Sequence, residues 1–285
     1  MEQQRLCWIN GRWMPSHEAT VSVFDHGLLY GDGVFEGLRF YPSGVFKLGE
    51  HLARLWRSAS VLRITIPYTA HELGVVIERA ARDSGMASGY IRVIVTRGAG
   101  KLGIDPRSCK QPCVIVIADE IAVVDDVVRR NGARVIVAAT RRLAPDGLDP
   151  RVKSLNYLNP IMAKWEAINA HADEAILLNA QGYVSEGSVD NIFIVKNATL
   201  LTPPVYDGAL EGITRGVVIR LAEEAGIPMV EQRLTTYDLY TADECFLTGT
   251  AAELIPVREI DGRVLPQTCG PVYNALSQLF AAATH

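Results

Sequence analysis

The chain has 285 residues, 48% apolar and 21% charged, with a net charge of -4 and a pI of about 5.9. That length allows two cores, and the acidic balance leaves no basic excess to neutralise phosphates, which argues against a nucleic-acid surface while leaving room for local anion sites. No apolar run approaches the ~20 residues of a membrane span. The first eight residues show no charged-then-apolar leader pattern, so a cytoplasmic protein without a membrane partner is expected.

In chain order, residues 6–13 predict a hairpin about Asn10-Gly11, and 21–24 a short strand. Gly27, Gly31, Gly33 and Gly37 then fall within eleven residues, a sign of tight turns or close backbone approach. Strands at 38–41 and 45–48 flank the Pro42-Ser43-Gly44 turn. Residues 50–62 carry a helical stripe of Leu52, Leu55, Trp56, Ala59 and Leu62. Arg54 lies off its centre, where a surface pair with Glu50 is one reading.

A second helix is predicted over 69–84. A strand over 90–97 puts Tyr90, Arg92 and Ile94 on one face. A loop spans 98–106 and a buried strand 113–118. The charged stretch 119–131 is the boundary candidate, giving a small domain over 1–119, a linker over 120–131 and a second domain over 132–285.

Beyond it a strand at 134–139, a helix at 159–170, and strands at 174–178, 183–185, 191–195 and 199–202 are expected. A helix at 214–225, a strand at 245–247 and a terminal helix at 270–282 complete the list. The elements interleave without a βαβ rhythm, which predicts an α+β fold.

Lysine is scarce: Lys47, Lys101, Lys110, Lys153, Lys164 and Lys196 are all there are. Lys153 sits between Val152 and Ser154 with Tyr157 four positions on. Such a setting suits an amine that attacks a carbonyl, though a solvated lysine ahead of a helix is the alternative. Gly212-Ile213-Thr214 opens a helix, and Thr248-Gly249-Thr250-Ala251 ends a strand. Both offer free N–H groups and hydroxyls, and with Arg54 they suit a phosphate dianion. A plain threonine cap would explain Thr214 equally. Glu186, in Ser185-Glu186-Gly187, is either an acid reaching into a site or an exposed turn residue. No Ser/His/Asp triad, Walker loop or dinucleotide GxGxxG is present. Cys7, Cys109, Cys113, Cys245 and Cys269 form no CxxC pair and, with six histidines, make no zinc spacing, so no metal is expected.

Taken together the motifs resemble the class IV (fold type IV) pyridoxal-phosphate aminotransferases, the branched-chain amino-acid enzymes most closely. The resemblance rests on Tyr30 to Arg39 (Tyr-Gly-Asp-Gly-Val-Phe-Glu-Gly-Leu-Arg), Glu50-His-Leu-Ala-Arg-Leu55, Lys153-Ser-Leu-Asn-Tyr157, Ser185-Glu-Gly187, Gly212-Ile-Thr-Arg215 and Gly249-Thr-Ala-Ala-Glu253. These stand in the family's order over nearly the whole chain. The resemblance implies a D-amino-acid-aminotransferase-like α+β fold, with a smaller N-terminal α/β domain, a larger C-terminal domain and the active site between them.

It also implies pyridoxal 5'-phosphate, held covalently by Lys153. Glu186 pairs with the ring nitrogen and Tyr157 with the phenolic oxygen. Arg54, Ile213, Thr214 and the Gly249-Thr250 turn cradle the phosphate. Tyr30, Phe35, Gly37, Arg39, Tyr90 and Arg92 line the substrate pocket, and Thr250-Ala251 receives the α-carboxylate. A loop from a second subunit completes the site, so a homodimer or higher homo-oligomer is implied.

The implied reaction joins leucine, isoleucine or valine to 2-oxoglutarate. D-amino-acid enzymes of this fold carry Arg-x-His after Thr-Arg-Gly, where this chain has Lys101-Leu102-Gly103. That argues against their activity. A D-amino-acid or (R)-amine transaminase, or an aminodeoxychorismate lyase, of the same fold is the alternative. The stretch 119–128 lacks the aromatic residues that some branched-chain enzymes place over the substrate.

Overall fold

The computed structural model describes residues 6–120 and 126–284. Two compact units emerge: Met1–Ile121 with Val152–Asn156, and Ala122–Arg151 with Tyr157–Thr284. Of the expected linker, residues 121–125 lie outside the described residues, as do 1–5 of the N-terminal stretch. Asp126–Asn131 is a helix.

The first unit holds a six-stranded antiparallel sheet. Its order is Arg12–Pro15, Leu6–Ile9, Cys113–Asp119, Gly89–Thr96, Gly33–Tyr41 and Gly44–Val45. The helices Leu48–Val61 and Ala70–Asp83 cover one face. Leu52, Leu55, Ala59, Leu73 and Ile77 pack there on Val34, Leu38, Phe40, Ile91, Val93 and Val95. Period-two alternation in the strands and the 3.6-residue stripe in the helices meet in this core. Thr69 and Glu72 close a capping box on the second helix, worth about 1 kcal/mol. Two expectations fail. Residues 21–24 form no strand, with a turn only at 23–24, and the strand after Gly44 ends at Val45 because the helix begins at Leu48.

The second unit is built on a mixed sheet in which Glu253–Ile260 is central, paired with Glu244–Gly249 on one side and Ala133–Arg141 on the other. A βαβ unit is present after all. Strands Ala133–Arg141 and Glu174–Leu178 run parallel, and the helix Leu158–Asn169 connects them. Ala163 and Ala167 of that helix sit on Ala138, Ala175 and Leu177, small residues that let helix and sheet approach closely. The helix Ile213–Glu224 packs on the terminal helix Pro271–Thr284 and on the strand Glu244–Gly249. None of the described helices is long and apolar enough to cross a membrane.

Candidate active site

In the first unit, the face of the sheet opposite the helices carries Phe35, Gly37, Arg39, Tyr90 and Arg92. Pairing sets Gly37 against Arg92 and Arg39 against Tyr90 across adjacent strands. Residues directly opposite one another share a face. The Arg92 guanidinium carbon stands 4.4 Å from the Phe35 ring centroid and 5.3 Å from that of Tyr90. A side chain at Gly37 would strike the Tyr90 hydroxyl, so glycine there lets the phenol lie across the strand. Burial raises the Tyr90 pKa, with Arg92 opposing, and the phenol stays a hydrogen-bond donor. In the same unit the Tyr30 hydroxyl accepts from the Gly103 N–H at 2.7 Å.

Lys153 enters this unit as a short edge segment. Phe35 N–H donates to Lys153 O and Leu155 N–H to Gly33 O, each at 2.9 Å. Lys153 N–H donates to the buried Ser58 hydroxyl at 3.1 Å. With its backbone fixed on both sides, the amine stands 4.7 Å from the Phe35 ring centroid, a cation–π contact.

Under the same strand lies a buried ionic cluster. Arg54 is buried rather than at the surface, and Glu50 meets Lys47 at 3.3 Å. The Arg54 Nε and Nη2 donate to the two Glu36 oxygens at 2.7 and 2.9 Å. His51 Nδ1 meets Glu36 Oε2 at 2.8 Å. Burial alone would raise the Glu36 pKa; Arg54 and His51 overcome it and lower the value to about 2. Burial lowers the His51 pKa, with Glu36 opposing and Arg54 and Lys153 adding to the fall. Near neutral pH the imidazole is therefore uncharged and donates Nδ1–H to the carboxylate.

In the second unit, Glu186 lies in the wholly buried strand Val184–Gly187 and is no exposed turn acid. Its Oε2 accepts from Leu210 N–H at 2.9 Å and from Asn191 Nδ2 at 3.3 Å. Arg142 Nη2 lies 2.6 Å from Oε1. Asn191 also donates to Leu210 O and pairs with Thr248 in the ladder. It thereby ties the carboxylate to the start of the helix Ile213–Glu224 and to the hairpin tip after Gly249.

Gly212, not Thr214, is the helix cap, and no side chain caps it. A Cβ on Gly212 would collide with Asn191 Oδ1, and one on Gly249 with Asp190 Oδ1. Thr214 is buried, while Thr250 and Ala251 are half-buried. Among the described residues, the Thr248 hydroxyl is buried with no hydrogen-bond partner. Tyr157 is half-buried at the cap position of the helix Leu158–Asn169.

Lys153 and Arg54 thus belong to the first unit, and Tyr157, Glu186, Ile213, Thr214 and Thr250 to the second. Sequence reasoning assigned no role to Glu36, His51, Ser58, Arg142, Asp190 or Asn191. Glu36 was detectable: an acid on the core face of an apolar strand demands a cation. Arg142 left no such mark.

Each unit carries groups of the kind pyridoxal 5'-phosphate takes: in the first, the Lys153 amine against an aromatic ring; in the second, the buried Glu186 carboxylate, a helix start with no side-chain cap, and the unpartnered Thr248 hydroxyl. The chain matches the family model for amino-transferase class IV over residues 33–260, and it belongs to that family. It is 54% identical over 274 residues to a Methanocaldococcus jannaschii protein provisionally named a branched-chain-amino-acid aminotransferase, covering 96% of this chain and 94% of that one. The crystal structure of the Escherichia coli branched-chain amino acid aminotransferase superposes with a TM-score of 0.94 at 37% identity, over 97% of this chain and 93% of that one. The T.th. branched-chain amino acid aminotransferase complexed with N-(5'-phosphopyridoxyl)-L-glutamate gives a TM-score of 0.91 at 41% identity, over 98% of this chain and 94% of that one. The α+β, fold type IV architecture is as expected.

Proposed function

We propose that this chain is a pyridoxal-phosphate-dependent branched-chain-amino-acid aminotransferase. It exchanges the amino group of L-leucine, L-isoleucine or L-valine with 2-oxoglutarate, as a homodimer or higher homo-oligomer. The observation that carries the reading is the Lys153 amine against Phe35, on the sheet face that also bears Gly37, Tyr90 and Arg92. An apolar ring and a guanidinium side by side suit a pocket that takes an aliphatic side chain in one half-reaction and a carboxylate in the other.

When bound, the cofactor supplies the electron sink that makes the substrate Cα–H acidic. Lys153 holds the cofactor covalently at rest and takes the Cα proton during turnover, a step typically worth about 10²–10⁴ in rate. Glu186 accepts the ring-nitrogen hydrogen bond and Tyr157 donates to the phenolic oxygen. Arg54, the N–H groups of Ile213 and Thr214, and Thr250 hold the phosphate. The Thr250-Ala251 backbone receives the α-carboxylate. Arg39 and Tyr30 belong to the pocket wall.

The test is a half-reaction panel that follows cofactor absorbance on adding L-leucine, L-glutamate, D-alanine or (R)-1-phenylethylamine. Conversion by the first two alone is expected. Conversion by D-alanine or the (R)-amine, with L-leucine inert, would overturn the substrate assignment.

A further inference from the structure

Arg142 follows the strand Ala133–Arg141 by one residue, within the second unit. Its side chain is 12% exposed, and that of Glu186 6%. Nη2 meets Glu186 Oε1 at 2.6 Å, and Nε donates to Gly208 O at 3.1 Å. Its own backbone N–H donates to Leu178 O at 2.9 Å, so the residue is held at both ends. The other Glu186 oxygen takes neutral donors, Leu210 N–H and Asn191 Nδ2. Arg142 therefore brings a positive charge into direct contact with one oxygen of the Glu186 carboxylate.

Resting on the aminotransferase reading, we propose that Arg142 is a positioning residue for the reaction: it holds Glu186 as an ionised acceptor and so keeps the cofactor's ring nitrogen protonated. The physical reason is competition for one proton. A ring nitrogen and a carboxylate in hydrogen-bond contact share it according to their relative basicity. An adjacent guanidinium makes the carboxylate the weaker base, and the proton stays on nitrogen. Protonated nitrogen is the stronger electron sink. Each unit by which Glu186 became more basic would shift the partition about tenfold.

The experiment compares wild type, Arg142→Met and Arg142→Lys, each reconstituted with pyridoxal phosphate carrying ¹⁵N at the ring. The ring-nitrogen chemical shift reports its protonation, and L-leucine kinetics are measured alongside. In Arg142→Met the shift is expected to move toward that of unprotonated pyridine. Its kcat should fall by about tenfold or more while KM changes little. Arg142→Lys, which keeps the charge, should return the shift and most of kcat. If Arg142→Met does not yield folded holoenzyme, Arg142→Gln, which retains a donor for Gly208 O, makes the same comparison.

A protonated-type shift with unchanged kcat in the charge-removing variant would overturn the proposal, as would failure of Arg142→Lys to restore the shift. A wild type inert to L-leucine would sink the functional reading instead. The shift comparison needs only bound cofactor and would still judge Arg142.

Discussion

Two buried glutamates, Glu36 and Glu186, are held in different ways. Glu36, 1% exposed, meets two side chains from one helix: both oxygens engage Arg54, and one also meets His51. Glu186, 4% exposed, meets a loop N–H, an asparagine amide and an arginine from three separate parts of its unit. The first arrangement joins neighbours on a strand and a helix and fixes where Arg54 points. The second gathers distant segments around an acceptor. A carboxylate clamped by a bidentate arginine is chiefly a fastener. One reached by mixed neutral and charged donors from three segments is, on the proposed function, the acceptor for the ring nitrogen.

The sharpest way to break that contrast is to neutralise each acid in turn. Glu36→Gln leaves Arg54 charged and uncompensated in a closed space, so a loss of about 3–5 kcal/mol is expected from denaturant unfolding. Glu186→Gln should act mainly on turnover. Replacing the ionised acceptor is expected to cost about 10²–10³ in kcat, with a smaller fall in the unfolding midpoint. If the two variants exchanged their effects, the division between fastener and acceptor would fail.

Next in size is Gly37→Ala. Its methyl meets the Tyr90 hydroxyl and must push the ring aside, at about 1–3 kcal/mol. Activity with L-leucine should fall further than stability does, because Tyr90 and Arg92 share that face. Ser58→Ala, which removes the acceptor for Lys153 N–H, should cost about 1 kcal/mol. It should loosen the lysine without unfolding the unit.

The Glu36 cluster also sets a pH signature. Both its titrating members bind protons more weakly folded than unfolded. The Glu36 value is depressed from 4.5 to about 2, and the His51 value lies below 6.5. Their stabilisation is therefore complete above about pH 6.5 and declines on acidification. His51 begins the decline near 6.5, and Glu36 contributes as pH falls from 4.5 through about 2. Unfolding midpoints across this range should show both stages, and His51→Asn should remove only the upper one.

Much of this was legible in the sequence because its signals are local. The stripe in 50–62, the glycines around Phe35, and Lys153 beside Val152 each report on their own neighbourhood. The βαβ unit stayed hidden because the connection between its strand and helix leaves to place Val152–Asn156 in the other unit. Pro256, Arg258 and Glu259 disguised the central strand Glu253–Ile260, since no simple apolar alternation survives there. The partners of Arg54 and Glu186 were unreadable for another reason. Glu50 is one turn from Arg54 along the helix, but the acid that claims the guanidinium lies on a strand. Arg142 meets Glu186 beside a loop, distant in sequence from Arg142, whose Gly208 and Leu210 bond to Arg142 and Glu186 in turn. Tertiary pairing of this kind leaves no spacing to find.

On the proposed function, Lys153 is the amine that binds the cofactor. Holoenzyme reduced with borohydride, digested and mapped by mass spectrometry tests it directly. A pyridoxyl modification is expected on the peptide containing Lys153 and on no other lysine, lost in Lys153→Ala together with turnover. Modification at another lysine, or full activity in Lys153→Ala, would contradict it.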